Sequence, residues 1–566
     1  MPKRPDPNFS DTQFARVPAF LRVRGDQIVG LEDHKGNLLG MPVTSTTSSG
    51  SEVDLSGVKA PGGTLTAGGS AIRLAFARRP LSVGILGDSI SKMSSDYPAG
   101  FGGAAGDTAW SNYGWFSWML FWSRADISAV NYAISGSTSG PMDGSEPSNV
   151  LTLQLPAALK AGHDIYTIAP IGINDTLLTG AQSVDYITQS VVRILNSNPS
   201  ARVLLGTPMG VDSYVSSKSR ISAIMSGMRG LANAFPDRVR LADFHSVNAD
   251  PGSVADGAGY QTTFDDVTYD TTHPHIVGAS FMGRMAYEAI SDWLQPYQYA
   301  RANADAPNLL TNPQLGGVSG TISNAGINSV APTSWTVGRG SANVSYSAYK
   351  ARRLPLVWKT GITYPVGARI APVTPTGWHY IVLTSAATGA TPPSAITAWG
   401  QSTPDAGGPV YLTIPANDTA RTPDLGEDFV IDMTASSAGA SDYVVLSQQV
   451  SAAALAGKQY AVGIVMEALG SPWGAAMLRV QQLNGASAKI VDHFGMGANY
   501  LFGTSQAPHS FPHRNAKGLI ITPKFTVDPS CVSINVLLRV WGGAGSGLSQ
   551  PCRIALSDAF MLGPQI

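Results

Sequence analysis

The chain has 566 residues, enough for several independently cored domains, and a net charge of −1. That balance excludes the basic footprint of a nucleic-acid binder and an acidic tail, and two cysteines, Cys531 and Cys552, exclude a disulfide scaffold. Charged residues make up only 13%, with 61 glycines and 38 prolines, which favours a loop- and strand-rich chain.

The N-terminal stretch Met1-Pro2-Lys3-Arg4-Pro5 carries no apolar signal core, so synthesis in the cytoplasm without a signal peptide is expected. Residues 1–78 read as a small attachment or organising module. Short strands are expected over 19–23 and 27–31, and flexible Ser/Thr/Gly segments over 45–50 and 61–70.

From 79 to 300 strands and helices alternate. Strands are expected over 81–86, 127–134, 164–171, 202–207 and 238–242. Helices are expected over 110–124, 153–160, 183–196, 217–234 and 276–293. The 183–196 segment places Val184, Ile187, Val191, Ile194 and Leu195 on one side. This alternation predicts a parallel sheet with helices on both faces, with ligands at the carboxyl ends of its strands. The apolar run near 115–122 is too short to span a bilayer, so no membrane insertion is expected.

After about 305 helical periodicity fades. Apolar strands such as Tyr443-Val444-Val445-Leu446 lie between turns, the pattern of all-β sandwich or jelly-roll modules over 306–566. A small β module at about 350–418 reads as an insertion. Cys531 and Cys552 can pair or remain buried free thiols; both readings stay open.

Four polar motifs follow the predicted strands or lie in loops: Gly87-Asp88-Ser89-Ile90, Asn131-Tyr132-Ala133-Ile134-Ser135-Gly136, Gly172-Ile173-Asn174-Asp175 and Asp270-Thr271-Thr272-His273-Pro274. Ser89, at a strand–turn–helix junction, is the candidate nucleophile, and its N–H can also face a developing oxyanion. His273 is the candidate base, with Asp270 three residues earlier to orient it; His275 competes. The Gly136 N–H and the Asn174 side-chain amide complete a candidate oxyanion hole. Asp88, Gly172 and Asp175 support these turns. Taken singly each motif has an ordinary reading, as a turn or a helix cap.

Order and wording resemble the SGNH (GDSL-type) hydrolase family, over roughly residues 80–298. Gly87-Asp88-Ser89 matches its first block, Gly136 its second, Gly172-Ile173-Asn174-Asp175 its third and Asp270 to Pro274 its last. The chain departs from the pattern at Ile90, at Ser137 where an acidic residue often stands, and in a Gly/Ala-rich insertion over 94–111. The resemblance implies a flavodoxin-like α/β/α domain, no metal or other cofactor, and hydrolysis of esters or thioesters through an acyl-serine.

Two further resemblances concern the flanks. Asn308-Leu309-Leu310-Thr311-Asn312-Pro313 with Trp335 resembles the opening of carbohydrate-binding jelly-rolls. Residues 358–367, Tyr380, 389–393 and Tyr411 resemble small β modules of phage tail proteins, as does Leu31 to Asn37. Together they imply a virion tail esterase that removes O-acetyl groups from a bacterial surface polysaccharide. They also imply a homotrimer and other tail proteins as partners. A cellular carbohydrate or lipid esterase and a non-catalytic glycan-binding adhesin remain alternatives. The tryptophans at 110, 115, 118 and 122 read as core packing or, at Trp110 and Tyr113, as a sugar-stacking wall. The 94–109 segment reads as a lid, a specificity loop or, equally, a disordered loop.

Overall fold

The structure is a computed structural model. It describes residues 20–24, 27–32, 59–60, 63–64, 81–95, 107–125, 127–210, 217–248, 272–274, 276–294 and most of 308–563. Contacts divide the chain into two units, 1–79 with 565–566, and 80–564. In the first, Phe20–Arg24 pairs antiparallel with Gln27–Glu32, and Lys59–Ala60 with Gly63–Thr64.

The second unit opens with a five-stranded parallel sheet. Its spatial order is Ile127–Asn131, Leu81–Leu86, Ile165–Ile168, Arg202–Gly206 and Val239–Ala242. Numbered along the chain this is 2-1-3-4-5, the flavodoxin-like order, with its switch point beside the first strand. The inner strands are continuous apolar runs because helices cover both faces. Gly180–Ser197 illustrates how sequence sets a helix. Thr179 and Gln182 form a reciprocal capping box, and Ile187, Val191, Ile194 and Leu195 are buried.

The β region is a sandwich. One sheet runs Ser319–Ile322, Ala331–Arg339, Tyr443–Ser451, Ser533–Gly542, Trp473–Leu483, Lys489–Gly495 and Thr108–Trp110. The other runs Val344–Arg352, Glu427–Ala435, Cys552–Leu562, Gln459–Ala468 and Lys517–Ile521. Inward residues of both, among them Val337, Leu538, Phe429 and Ile464, share one core. Trp335 is buried and donates its indole N–H to the Asn312 carbonyl at 3.1 Å. A separate five-stranded sheet within 356–415 has its own aromatic core of Trp358, Tyr364, Tyr380 and Tyr411. It lies in the chain between Val344–Arg352 and Glu427–Ala435, which pair with each other. Cys531 is a buried free thiol.

The α/β sheet and the sandwich are not separate bodies. The helix Trp115–Ser123 is apolar on every side, the mark of a helix covered all round. Trp115, Phe116, Met119 and Leu120 pack into the α/β core, whereas Trp118 and Phe121 enter the sandwich core. Gly283 of the helix Ile276–Ile290 permits a close crossing. A Cβ there would lie 2.5 Å from the Trp115 carbonyl oxygen and 2.4 Å from the Trp118 Cβ.

The expected helix over 110–124 therefore begins later, at Trp115, and its start is replaced by the strand Thr108–Trp110. That strand pairs in parallel with Lys489–Gly495 and covers an otherwise open sheet edge. Of the expected lid, residues 96–106 lie outside the described residues, and its end is this edge strand.

A buried histidine latches the edge strand. The Gln482 Oε1 accepts from the Asp528 N–H at 2.7 Å, so its Nε2 donates to His493 Nε2 at 2.8 Å. His493 Nδ1 must then carry the proton and donate to Thr108 Oγ1 at 2.8 Å. The ring is stacked on Phe525, and burial pushes it down to about 4 while Asp492 and Asp107 pull the other way. An imidazole depressed from 6.5 to about 4 contributes stability above pH 6.5 that is lost as pH falls toward 4. Thermal unfolding of wild type and His493→Gln between about pH 7 and about pH 4.5 should show the wild-type advantage shrinking with acid. Parallel curves would contradict the latch.

Candidate active site

The inner strand Leu81–Leu86 leads into the candidate nucleophile, Ser89. After it the chain turns at Gly87 and enters the short helix Ser89–Lys92. Asp88 caps this helix, its Oδ1 accepting the Ile90 N–H at 3.0 Å. Ser89 is therefore the first helical residue, half-buried at the strand's carboxyl end. Its N–H belongs to the first turn, where no intrahelical acceptor exists.

The turn is fixed from several sides. Ser91 Oγ donates to the Ala169 carbonyl and accepts the Trp115 indole N–H at 3.1 Å. Asn131 Nδ2 donates to the Ser91 carbonyl at 3.0 Å and to Ser95 Oγ at 2.9 Å. Asn131 belongs to the second motif, but its bracing of the helix Ser89–Lys92 is not among the sequence expectations. A polar residue closing a strand otherwise made of small and apolar residues was the signal.

His273 Nε2 lies 2.8 Å from Ser89 Oγ, across 184 residues of chain. The helix Ile276–Ile290 begins three residues later and is anchored against Trp115 and Trp118 through Gly283. The aromatic core thereby holds both partners. For Nε2 to take the serine proton, the ring proton must sit on Nδ1. Asp270, the expected orienting carboxylate, and His275, the competing base, lie outside the described residues.

The expected oxyanion donors follow the two strands that flank Leu81–Leu86. Gly136 follows Ile127–Asn131 with φ +77°, a left-handed conformation that favours glycine. Asn174 follows Ile165–Ile168, after a second such turn at Gly172 with φ +106°. Asn174 Nδ2 donates to the Ser137 carbonyl at 3.1 Å, which ties its amide to the Gly136 loop. Asp175 is fully buried and braces the same loop. Its Oδ1 accepts the Ser139 N–H at 2.8 Å and its Oδ2 the Ser139 hydroxyl at 2.6 Å. Ser139 was another group not singled out from sequence.

Trp110 and Tyr113 are 7% and 3% exposed, and Trp115 and Trp118 are buried completely or nearly so. The aromatic cluster is core rather than a sugar-stacking wall, because its rings pack on one another, as Trp110 does on Phe116 at 5.3 Å. A cavity of about 350 Å³ lies between the strand Ile127–Asn131 and the sandwich, lined in part by Ser95, Trp110, Asn131 and Thr522; Ser89, Gly136, Asn174 and His273 do not line it. Among the described residues no group of three or more His, Cys, Asp or Glu is placed to hold a metal ion. No described helix is long and apolar enough to cross a membrane.

No protein-family model matches the chain, and no curated protein matches it. Solved structures align with part of it. A carbohydrate esterase family 3 protein from Talaromyces cellulolyticus is 14% identical, with TM-score 0.28, over 38% of this chain and 100% of its own. A lipolytic protein of the G-D-S-L family from Veillonella parvula is 15% identical, with TM-score 0.25, over 37% of this chain and 98% of its own. The enzymatically active domain of Bacteriophage CBA120 tailspike protein 4 is 12% identical, with TM-score 0.16, over 25% of this chain and 16% of its own.

Asp88 carries an electrostatic cost. Its Oδ2 is buried without a hydrogen-bond partner among the described residues. Burial pushes the carboxyl up to about 7; the Ile90 N–H opposes the rise and Asp175 adds to it. A carboxyl raised from 3.8 to about 7 favours the folded state fully below pH 3.8, and that contribution is lost as pH rises through 7. Asp88→Asn keeps the cap and does not titrate. Chemical denaturation across this range should show Asp88→Asn gaining stability relative to wild type as pH rises. A pH-independent difference would show that Asp88 stays ionised.

Proposed function

We propose that the chain is a serine carboxylic-ester hydrolase that removes O-acetyl groups from a bacterial surface polysaccharide. The observation that carries the hydrolase reading is the 2.8 Å approach of His273 Nε2 to Ser89 Oγ at the strand ends. It is joined there by the two loops that hold the Gly136 and Asn174 donors.

In the mechanism Ser89 Oγ attacks the acetyl carbonyl carbon while His273 Nε2 takes the hydroxyl proton. The carbonyl oxygen becomes an oxyanion, received by the N–H groups of Ser89 and Gly136 and by Asn174 Nδ2. Collapse breaks the bond to the sugar oxygen, which leaves with the proton from His273. Water then attacks the acetyl-serine, His273 again takes the proton, and acetate departs as Ser89 regains its hydrogen. Asp270 is assigned the orientation of His273 and the stabilisation of its charged form.

The substrate and the setting rest on sequence likeness in the β region and at Leu31 to Asn37. On that basis the enzyme acts outside the cell as part of a phage tail, as a homotrimer among other tail proteins. The sandwich or its small aromatic-cored sheet then engages the same glycan.

Acetate release from p-nitrophenyl acetate and from O-acetylated bacterial polysaccharides tests the reading. Wild type should turn over both, and Ser89→Ala should lose at least about a thousandfold in kcat. Asn174→Ala should lower kcat by about 10²- to 10³-fold. Polysaccharide binding with no acetate released would identify a glycan-binding protein instead, and unchanged turnover by Ser89→Ala would place the chemistry elsewhere.

A further inference from the structure

One buried side chain joins the nucleophile turn to the oxyanion loop. Gln154 is 2% exposed. Its Oε1 accepts the Gly87 N–H at 3.0 Å, and its Nε2 donates to the Gly87 carbonyl at 2.9 Å. The amide thus reads both backbone groups of the residue two before Ser89, as a neighbouring strand would. The second Nε2 hydrogen goes to Ser137 Oγ at 2.8 Å. Both N–H bonds and the oxygen of the amide are engaged, so its orientation is determined.

The same serine reaches the other side of the site. Ser137 Oγ donates to the Ile134 carbonyl at 2.7 Å, closing the turn that contains Gly136. The Ser137 carbonyl accepts Asn174 Nδ2 at 3.1 Å. Gly87, Gln154, Ser137 and Asn174 therefore form one hydrogen-bonded chain from the nucleophile to both loop donors.

Gln154 is itself held rigidly. It closes the π-helical segment Val150–Gln154, a wider turn than an α-helix. Asn149 caps that segment by accepting the Thr152 N–H at 2.8 Å. The Val150 N–H donates to the Thr138 carbonyl at 2.9 Å, fastening the segment to the loop it serves. Val150, Leu151 and Leu155 pack into the α/β core around it. A polar side chain in that core is favourable only with its bonds made, and here every bond is to the candidate site.

We infer that Gln154 is a positioning residue that sets the spacing between the Ser89 nucleophile and the Gly136 and Asn174 oxyanion donors. The inference rests on the proposed serine-hydrolase chemistry. Gln154 touches no reacting atom. It acts because transition-state donors must be in place before charge develops, and a displacement near 1 Å costs about 10²-fold in rate. Substrate binding depends on other surfaces, so the effect falls on kcat.

The test uses the full chain with p-nitrophenyl acetate, after wild type has shown turnover that Ser89→Ala lacks. Without that turnover the hydrolase reading fails, not the clamp. Gln154→Met keeps the side-chain length and deletes the three bonds; Ser137→Ala deletes the shared bond and the hydroxyl's own bond to the Ile134 carbonyl, and keeps the carbonyl that holds Asn174. Gln154→Met should lower kcat by about 10- to 100-fold with KM within about threefold of wild type. Ser137→Ala should lower kcat less. In the double variant the two losses should fall short of additive, because both remove one bond. Gln154→Asn, too short to span Gly87 and Ser137, should not restore the rate. Should Gln154→Met prove unfolded by circular dichroism, Ser137→Ala must still show its kcat-specific loss. A folded Gln154→Met with kcat near wild type, a Ser137→Ala with none of that loss, or a loss carried by KM would overturn the clamp.

Discussion

The structure depends on covering a helix that has no polar face. Trp115–Ser123 cannot lie on the surface of an α/β sheet, because Trp118 and Phe121 would meet water on its far side. Each such aromatic side chain gains about 1.5–3 kcal/mol by burial. The β-sandwich supplies the cover, and Gly518 lets the Phe121 ring rest on its strand, where a Cβ would come within 2.5 Å of that ring. The helix is in turn the platform for the site. Trp115 bonds the helix Ser89–Lys92 through Ser91, and the crossing at Gly283 places the helix that follows His273. The sandwich is therefore part of what holds Ser89 and His273 together.

Parallel topology does the rest. In the 2-1-3-4-5 order the first strand lies inside the sheet, and its two neighbours carry the Gly136 and Asn174 loops at the same end. Three strand ends thereby bring Ser89 and the Gly136 and Asn174 loops to one edge of the sheet. Behind them the buried Asp175 and Gln154 spend their hydrogen bonds on loops that have no ladder partners of their own, and the half-buried Asn131 holds the helix that begins at Ser89.

Sheet class and strand positions were legible because period and polarity alternate cleanly over 79–300, and buried parallel strands are continuous apolar runs. The Ser89–His273 pairing was legible only as motif order; their 2.8 Å contact depends on packing around Gly283 that no local pattern encodes. The strand Thr108–Trp110 was missed because its partner, Lys489–Gly495, lies far along the chain. Its apolar residues read as the start of the following helix. Gln154 was passed over inside a helical pattern, although a lone glutamine among Val150, Leu151 and Leu155 is itself a sign of a buried polar contact. The tryptophan cluster was ambiguous for a physical reason. A helix buried on two sides and a sugar-binding wall both demand exposed-looking aromatics, and only the partner surface tells them apart.

The most direct test of the account is covalent. A fluorophosphonate reacts with a serine hydroxyl only when a base activates it and donors receive the phosphoryl oxygen. Peptide mass spectrometry after treatment should find one phosphonylated serine, Ser89, and none in His273→Ala. An unlabelled Ser89, or labelling that survives the loss of His273, would contradict an activated serine at this site.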